Sequence, residues 1–191
     1  MIDEDASWYA HVVWSADAYA AALRFAAERH QGQRVPGTEL PYVIHVAAVC
    51  AEIMGALARE RFDQPDLAVQ CALLHDTIED TATSRAEIAE RFGEAVAAGV
   101  AALTKDDQLA KAVRMADSLR RIRDQPREVW AVKLADRITN LDVPPPHWDG
   151  ARRVGYRAEA GDILAALGES SPYLANRLRE RIDRYAAHLV P

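Results

Sequence analysis

The sequence predicts an all-α fold. Apolar residues recur at helical spacing almost throughout, alternating strand-like runs bounded by turns are missing, and helical stretches break at glycine, proline or a capping residue. At 191 residues the chain is long enough for one domain with a sizeable core, and it carries no internal repeat or low-complexity segment.

The first helix is expected over 17–30, rich in alanine, with Tyr19, Leu23 and Phe25 to bury. QGQRVPGTELP (31–41) follows, its two glycines and two prolines marking a loop. A second helix spans 42–58, with Ile44, Val46, Val49, Ile53 and Leu57 apolar. Pro65 suits the first turn of the third, which runs through LAVQCALLHD (67–76). Ser84 followed three residues later by Glu87 has capping-box spacing and opens a short helix that stops at Gly93. Further helices are predicted over 95–103, 109–123 and 126–140. The PPP run at 144–146 forces an extended break before the last two, 149–167 and 172–189.

Half the residues are hydrophobic and 27% are charged, the balance of a soluble globular protein. No apolar run approaches the ~18 residues needed to span a bilayer. The N-terminal MIDEDASWYA is acidic and lacks the basic-then-apolar pattern of a signal peptide, so a cytoplasmic location without membrane attachment is expected. The net charge of -6 argues against general nucleic-acid binding. A small anionic ligand stays possible, because a divalent cation reverses the local field. Cys50 and Cys71 sit alone in apolar helical patterns, match no metal or redox spacing, and are expected to be inert.

The stretch LLHDTIEDT (73–81) departs from this pattern. Directly after the apolar AVQCAL it places His75, Asp76, Glu79 and Asp80 within six residues, and burying such groups costs several kcal/mol unless each is paired. Two other helices carry matching polar residues: His45 lies between Ile44 and Val46, and Asp136 stands in AVKLADRITNL. Two imidazoles and two carboxylates suit a divalent metal such as Mn²⁺, Fe²⁺ or Zn²⁺ and leave positions for water and a phosphate oxygen. His45, His75, Asp76 and Asp136 are therefore the expected ligands, held in a groove between helices. On a continuous helix Glu79 shares the face of His75 and Asp76, so Glu79 and Asp80 form an acid/base pair that orients water and moves protons. Taken singly these residues have plainer readings: a core histidine at position 45, or a surface ion pair between Asp136 and Arg137. His11, His30, His147 and His188 match no ligand pattern.

The order H…HD…D resembles that of HD-domain metal-dependent phosphohydrolases. FAAERHQGQR, LPYVIHVAAV, ALLHDTIEDTATSRAEIAERFG, ALTK and VKLADRITNL, in that order, resemble the hydrolase domain of the RelA/SpoT homologues, especially the stand-alone small alarmone hydrolases. The resemblance implies one HD-type phosphohydrolase domain over 1–191, with its core at about 17–168 and a C-terminal helix at about 172–189. It implies a Mn²⁺-dependent enzyme that removes the 3′-pyrophosphate from ppGpp or pppGpp. His45, His75, Asp76 and Asp136 match the family's metal ligands, and Glu79 and Asp80 its catalytic acidic pair. Arg34 matches an arginine that packs on the base, and Asn140 one that contacts the sugar or phosphate region. Tyr156 resembles a tyrosine lining the same pocket, and Lys105 a residue reaching a phosphate. With no synthetase domain in the sequence, degradation alone is expected.

Two departures fall in nucleotide-facing parts. Val35 stands where a second cation is common, and Asp142, Val143 and three prolines follow Asn140 where many members continue with arginine. Alternatives therefore stay open: hydrolysis of (p)ppApp, of the NADPH 2′-phosphate or of a dNMP, a non-catalytic nucleotide sensor, or an inert helical bundle. The partner expected is a small nucleotide, the protein acting as monomer or homodimer.

Overall fold

The computed structural model describes residues 14–189, so MIDEDASWYA and His11 lie outside it. The order is α1 (Ala16–Arg29), α2 (Val43–Leu57), α3 (Pro65–Leu74), α4 (Thr77–Asp80), α5 (Arg85–Phe92), α6 (Glu94–Leu103), α7 (Lys111–Arg123), α8 (Arg127–Asn140), α9 (Gly150–Leu167) and α10 (Pro172–Tyr185). Short 3₁₀ turns at Gly168–Ser170 and Ala186–His188 follow the last two. The chain is all-α as expected; the described residues contain a single isolated antiparallel bridge, Arg34 to Pro41, which closes the 31–41 loop. No described helix is long and apolar enough to cross a membrane.

Helices α2, α3 and α8 pack on one another at the centre. α1 lies against α3, α6 against α3 and α7, and α9 and α10 cover α8. The core takes up most of the apolar residues read from sequence, with Val46, Val49 and Ile53 of α2, Leu73 and Leu74 of α3 and Leu134 and Ile138 of α8 inaccessible to solvent, whereas Ile44 of α2 is exposed. Both cysteines are buried and free. Burial pushes each thiol up to about 12, with Glu128 adding to the effect at Cys71, which suits inert packing.

Polar side chains set where helices begin. Ser15 accepts from the Ala18 amide at the start of α1, while its own amide donates to Asp66 in the first turn of α3 at 2.6 Å. Buried Glu128 of α8 accepts from the Asp63 and Gln64 amides, both at 3.0 Å, and so satisfies donors entering α3. Only half of the capping box at Ser84 forms: its hydroxyl accepts from the Glu87 amide, but the Glu87 carboxylate instead pairs with Arg29 of α1. Arg177 of α10 pairs with Glu52 of α2 through two hydrogen bonds, which fastens α10 to the centre.

Gly99 lets α6 approach the centre. A Cβ there would lie 2.7 Å from Cys71 Sγ and 3.0 Å from Val129 Cγ2. Gly99→Ala gains up to about 1 kcal/mol of helix propensity but overpacks this contact at a cost of about 1–3 kcal/mol. A net loss of stability is expected in urea unfolding, read as a lower midpoint with an unchanged slope.

Candidate metal centre and active site

The expected helix through LAVQCALLHD stops early. α3 ends at Leu74, His75 and Asp76 form a break, and Thr77–Asp80 makes one further turn. Two side chains produce this break by taking carbonyls of the last turn: His75 Nδ1 lies 2.9 Å from the Ala72 oxygen, and the Thr77 hydroxyl donates to the Leu74 oxygen at 2.7 Å. Asp76 sits at φ -100°, ψ -1°, in the bridge region. Glu79 therefore does not share a continuous helical face with His75 and Asp76. Its position comes from the one-turn α4, which packs on α6.

The break also orients the histidine. With Nδ1–H donated to the Ala72 carbonyl, the Nε2 lone pair of His75 faces inward. His45 Nε2 from α2 meets it, the two rings standing edge-on with centroids 5.3 Å apart. Asp76 Oδ2 lies 2.9 Å from His75 Nε2 and 3.6 Å from His45 Nε2. Asp136 Oδ1 from α8 lies 3.6 Å from His45 Nε2 and 3.7 Å from His75 Nε2. Close as these atoms are, both Nε2 atoms are buried without a hydrogen-bond partner. Atoms of His45, His75 and Asp76 all lie within 4.8 Å of one another, a spacing compatible with one metal ion. Two orphaned imidazole nitrogens converging on two carboxylate oxygens fit a divalent cation, which would satisfy all of them at once.

The two carboxylates dominate the electrostatics of the cluster. Burial opposes charge on His45, but the nearby Asp136 and Asp76 carboxylates prevail and push it up to about 9. Burial likewise works against the Asp76 carboxylate, yet His75, His45 and Tyr42 hold it well below the usual range. At Asp136 burial is overcome by Lys133 and both histidines. The cluster stays anionic on its carboxylate side, as a cation site requires.

A family model for the HD domain matches residues 22–172. The chain belongs to the HD-domain family. It is 31% identical over 163 residues to the guanosine-3′,5′-bis(diphosphate) 3′-pyrophosphohydrolase MESH1 of Danio rerio, covering 83% of this chain and 88% of that protein. The Xenopus tropicalis protein of the same name is 32% identical over 162 residues, or 82% and 88% of the two chains. A solved structure described as a metazoan orthologue of SpoT that hydrolyses ppGpp and plays a role in starvation responses has a TM-score of 0.79 at 26% identity, covering 93% of this chain and 99% of that one.

Around this HD-domain centre, Glu79 accepts from the Lys105 amide at 2.9 Å and lies 3.3 Å from its Nζ. Asp80 accepts from the Gln33 side chain at 2.9 Å. Asn140 donates to Asp136 Oδ1 at 2.5 Å, so it touches a candidate metal ligand directly. Tyr156 lies under the Arg137 guanidinium, 4.3 Å from its ring centroid, with Trp148 edge-on at 4.9 Å. Burial raises the Tyr156 phenol to about 12, with Arg137 and Lys105 opposing and Asp136 and Glu159 adding to the rise. Arg34 stands apart: its polar contacts among the described residues stay within its own loop, to the Glu39 carbonyl at 2.5 Å and carboxylate at 3.0 Å. Val35, where a second cation is common in the family, packs against the core instead.

Two supporting residues escape a reading of the sequence. Tyr42 donates to Asp76 Oδ2 at 2.5 Å, and Lys133 donates to Asp136 Oδ2 at 2.9 Å. Asp136 is thus paired one helical turn back rather than with its neighbour, and both partners are buried. Arg137 points away to Glu159 of α9. The i, i+3 spacing of Lys133 and Asp136 was the one available signal. For Tyr42 there was none, because its partner is 34 residues distant.

Proposed function

We propose that this chain is a metal-dependent guanosine-3′,5′-bis(diphosphate) 3′-pyrophosphohydrolase, converting ppGpp or pppGpp and water to GDP or GTP and pyrophosphate. The observation that carries the reading is the pair of buried, unpartnered Nε2 atoms of His45 and His75 facing Asp76 and Asp136. Similarity to proteins named for this activity over more than four-fifths of the chain supports the substrate. One HD-type phosphohydrolase domain is assigned to 1–191, with its core at about 17–168 and a C-terminal helix at about 172–189.

His45, His75, Asp76 and Asp136 would hold the metal, and Mn²⁺ is the assigned ion, in keeping with imidazole and carboxylate donors. When bound, such a cation lowers the pKa of water and offsets charge developing on the phosphoryl oxygens. Water adds to the phosphorus attached to O3′, the O3′–P bond breaks, pyrophosphate leaves and O3′ takes up a proton. Glu79 and Asp80 orient that water and carry the proton it gives up. Lys105, beside Glu79, is placed to meet a phosphate. Asn140 holds Asp136 and faces the sugar. Tyr156, stiffened between Arg137 and Trp148, lines the base pocket, and Arg34 packs on the base.

The test is incubation with Mn²⁺ and, separately, ppGpp, pppGpp, ppApp, NADPH and dAMP, followed by assay of pyrophosphate and phosphate. Pyrophosphate from ppGpp is expected. Inertness toward all five would replace the enzyme with a sensor. Val35 in the 31–41 loop and the Asp142–Val143 and proline run after Asn140 depart from the family in nucleotide-facing parts, which keeps (p)ppApp and NADPH as competing substrates. Arg34→Ala is expected to raise KM more than it lowers kcat; the reverse split would remove Arg34 from the binding site.

A further inference from the structure

His30 and Gln33 flank the turn after α1, and neither is absorbed by the metal site or the nucleotide pocket. His30 is buried, with its ring 4.8 Å from that of Tyr42. Its Nδ1 lies 2.7 Å from Gln33 Oε1, and Gln33 Nε2 lies 2.9 Å from Asp80 Oδ2. The polarity of this chain follows from its last member. A carboxylate only accepts, so the amide NH₂ of Gln33 must face Asp80 and its carbonyl oxygen must face His30. His30 then carries its proton on Nδ1 and donates it to Gln33. The backbone holds the same arrangement: the Gln33 amide donates to the His30 carbonyl and the Tyr42 amide to the Gln33 carbonyl, both at 3.0 Å, and Gly32 takes φ +82° between them.

Among the described residues Asp80 has this one side-chain partner. It sits at the end of a one-turn helix. We propose that Gln33, locked by buried His30, is the positioning residue that fixes the Asp80 carboxylate, occupying Oδ2 and leaving Oδ1 to the reacting water or the leaving oxygen. The proposal rests on the assignment of Asp80 to the acid/base pair. It gives the 31–41 loop a second task, joining the loop that carries Arg34 to the catalytic carboxylates.

The test compares Gln33→Ala, Gln33→Glu, Asp80→Ala and the Gln33→Ala/Asp80→Ala double variant in the Mn²⁺-loaded protein, with metal content and thermal midpoint measured for each. Gln33→Ala is expected to lower kcat by about 10- to 100-fold, the usual effect of losing an orienting partner, at nearly constant KM and metal content. Gln33→Glu keeps the acceptor for His30 but sets one carboxylate against another, and it is expected to lose more. In the Asp80→Ala background Gln33→Ala should change kcat less than about twofold, since its effect runs through Asp80. An equal loss in both backgrounds would overturn the proposal. An independent readout is the Gln33 side-chain amide resonance, which should move in Asp80→Ala; an unmoved resonance would also overturn it. If the wild type releases no pyrophosphate from ppGpp, the functional reading fails, and the amide resonance still decides whether Gln33 holds Asp80.

Discussion

Asp76→Ala is expected to abolish both metal retention and ppGpp turnover. Its Oδ2 is the atom on which the cluster converges, within 2.9 Å of His75 Nε2, 3.6 Å of His45 Nε2 and 2.5 Å of the Tyr42 hydroxyl. Removing it leaves two imidazoles and the single carboxylate of Asp136, which is itself engaged by Lys133 and Asn140. Losing several kcal/mol of transition-state charge stabilisation corresponds to a fall in kcat/KM on the order of 10³-fold or more. The fold should survive, because the packing of α3 rests on its apolar residues, and the orphaned Tyr42 hydroxyl costs only about 1–3 kcal/mol. Metal analysis after gel filtration, alongside a pyrophosphate assay, separates the outcomes. Retention of a full equivalent of metal would remove Asp76 from the ligand set.

Glu79→Ala should behave differently, keeping the metal and losing the rate. Glu79 is outside the group of atoms that converge with the two Nε2 positions, and its partner is Lys105. That pair is about one-third exposed on each side, so it contributes no more than about 1 kcal/mol and its loss leaves the fold intact. A general acid or base is worth about 10²- to 10⁴-fold, and a fall in kcat of that size is expected with unchanged metal stoichiometry. An unaltered rate would end the assignment of Glu79 to proton transfer. A matching loss of metal would make it a ligand instead.

The contrast between these two variants shows how far the sequence could be read. His45, His75, Asp76 and Asp136 stood out because ionisable residues interrupt apolar helical patterns, and the structure brings all four together. The geometry of the acidic pair was not legible in the same way. A continuous helix would set Glu79 beside His75 and Asp76, but Thr77 and His75 capture backbone carbonyls and end α3 at Leu74. That competition is decided by side-chain rotamers, to which periodicity is blind. Arg137 carries a similar lesson. Adjacency suggested a surface pair with Asp136, whereas helical geometry turns it toward Glu159 and Tyr156 and gives Asp136 to Lys133.

By itself, then, the sequence determined the helical class, the core faces and which residues on three separate helices were candidates for one metal. Each of those follows from local spacing and from the cost of burying charge. Only the tertiary structure decided that His45 and His75 present unpartnered Nε2 atoms to the same two carboxylates, that Tyr42 and Lys133 brace those carboxylates, and that His30 reaches Asp80 through Gln33. Most of these contacts join residues tens of positions apart, and their directions depend on how α2, α3 and α8 pack. Even the local pair of Lys133 and Asp136 acquires its importance from being buried there.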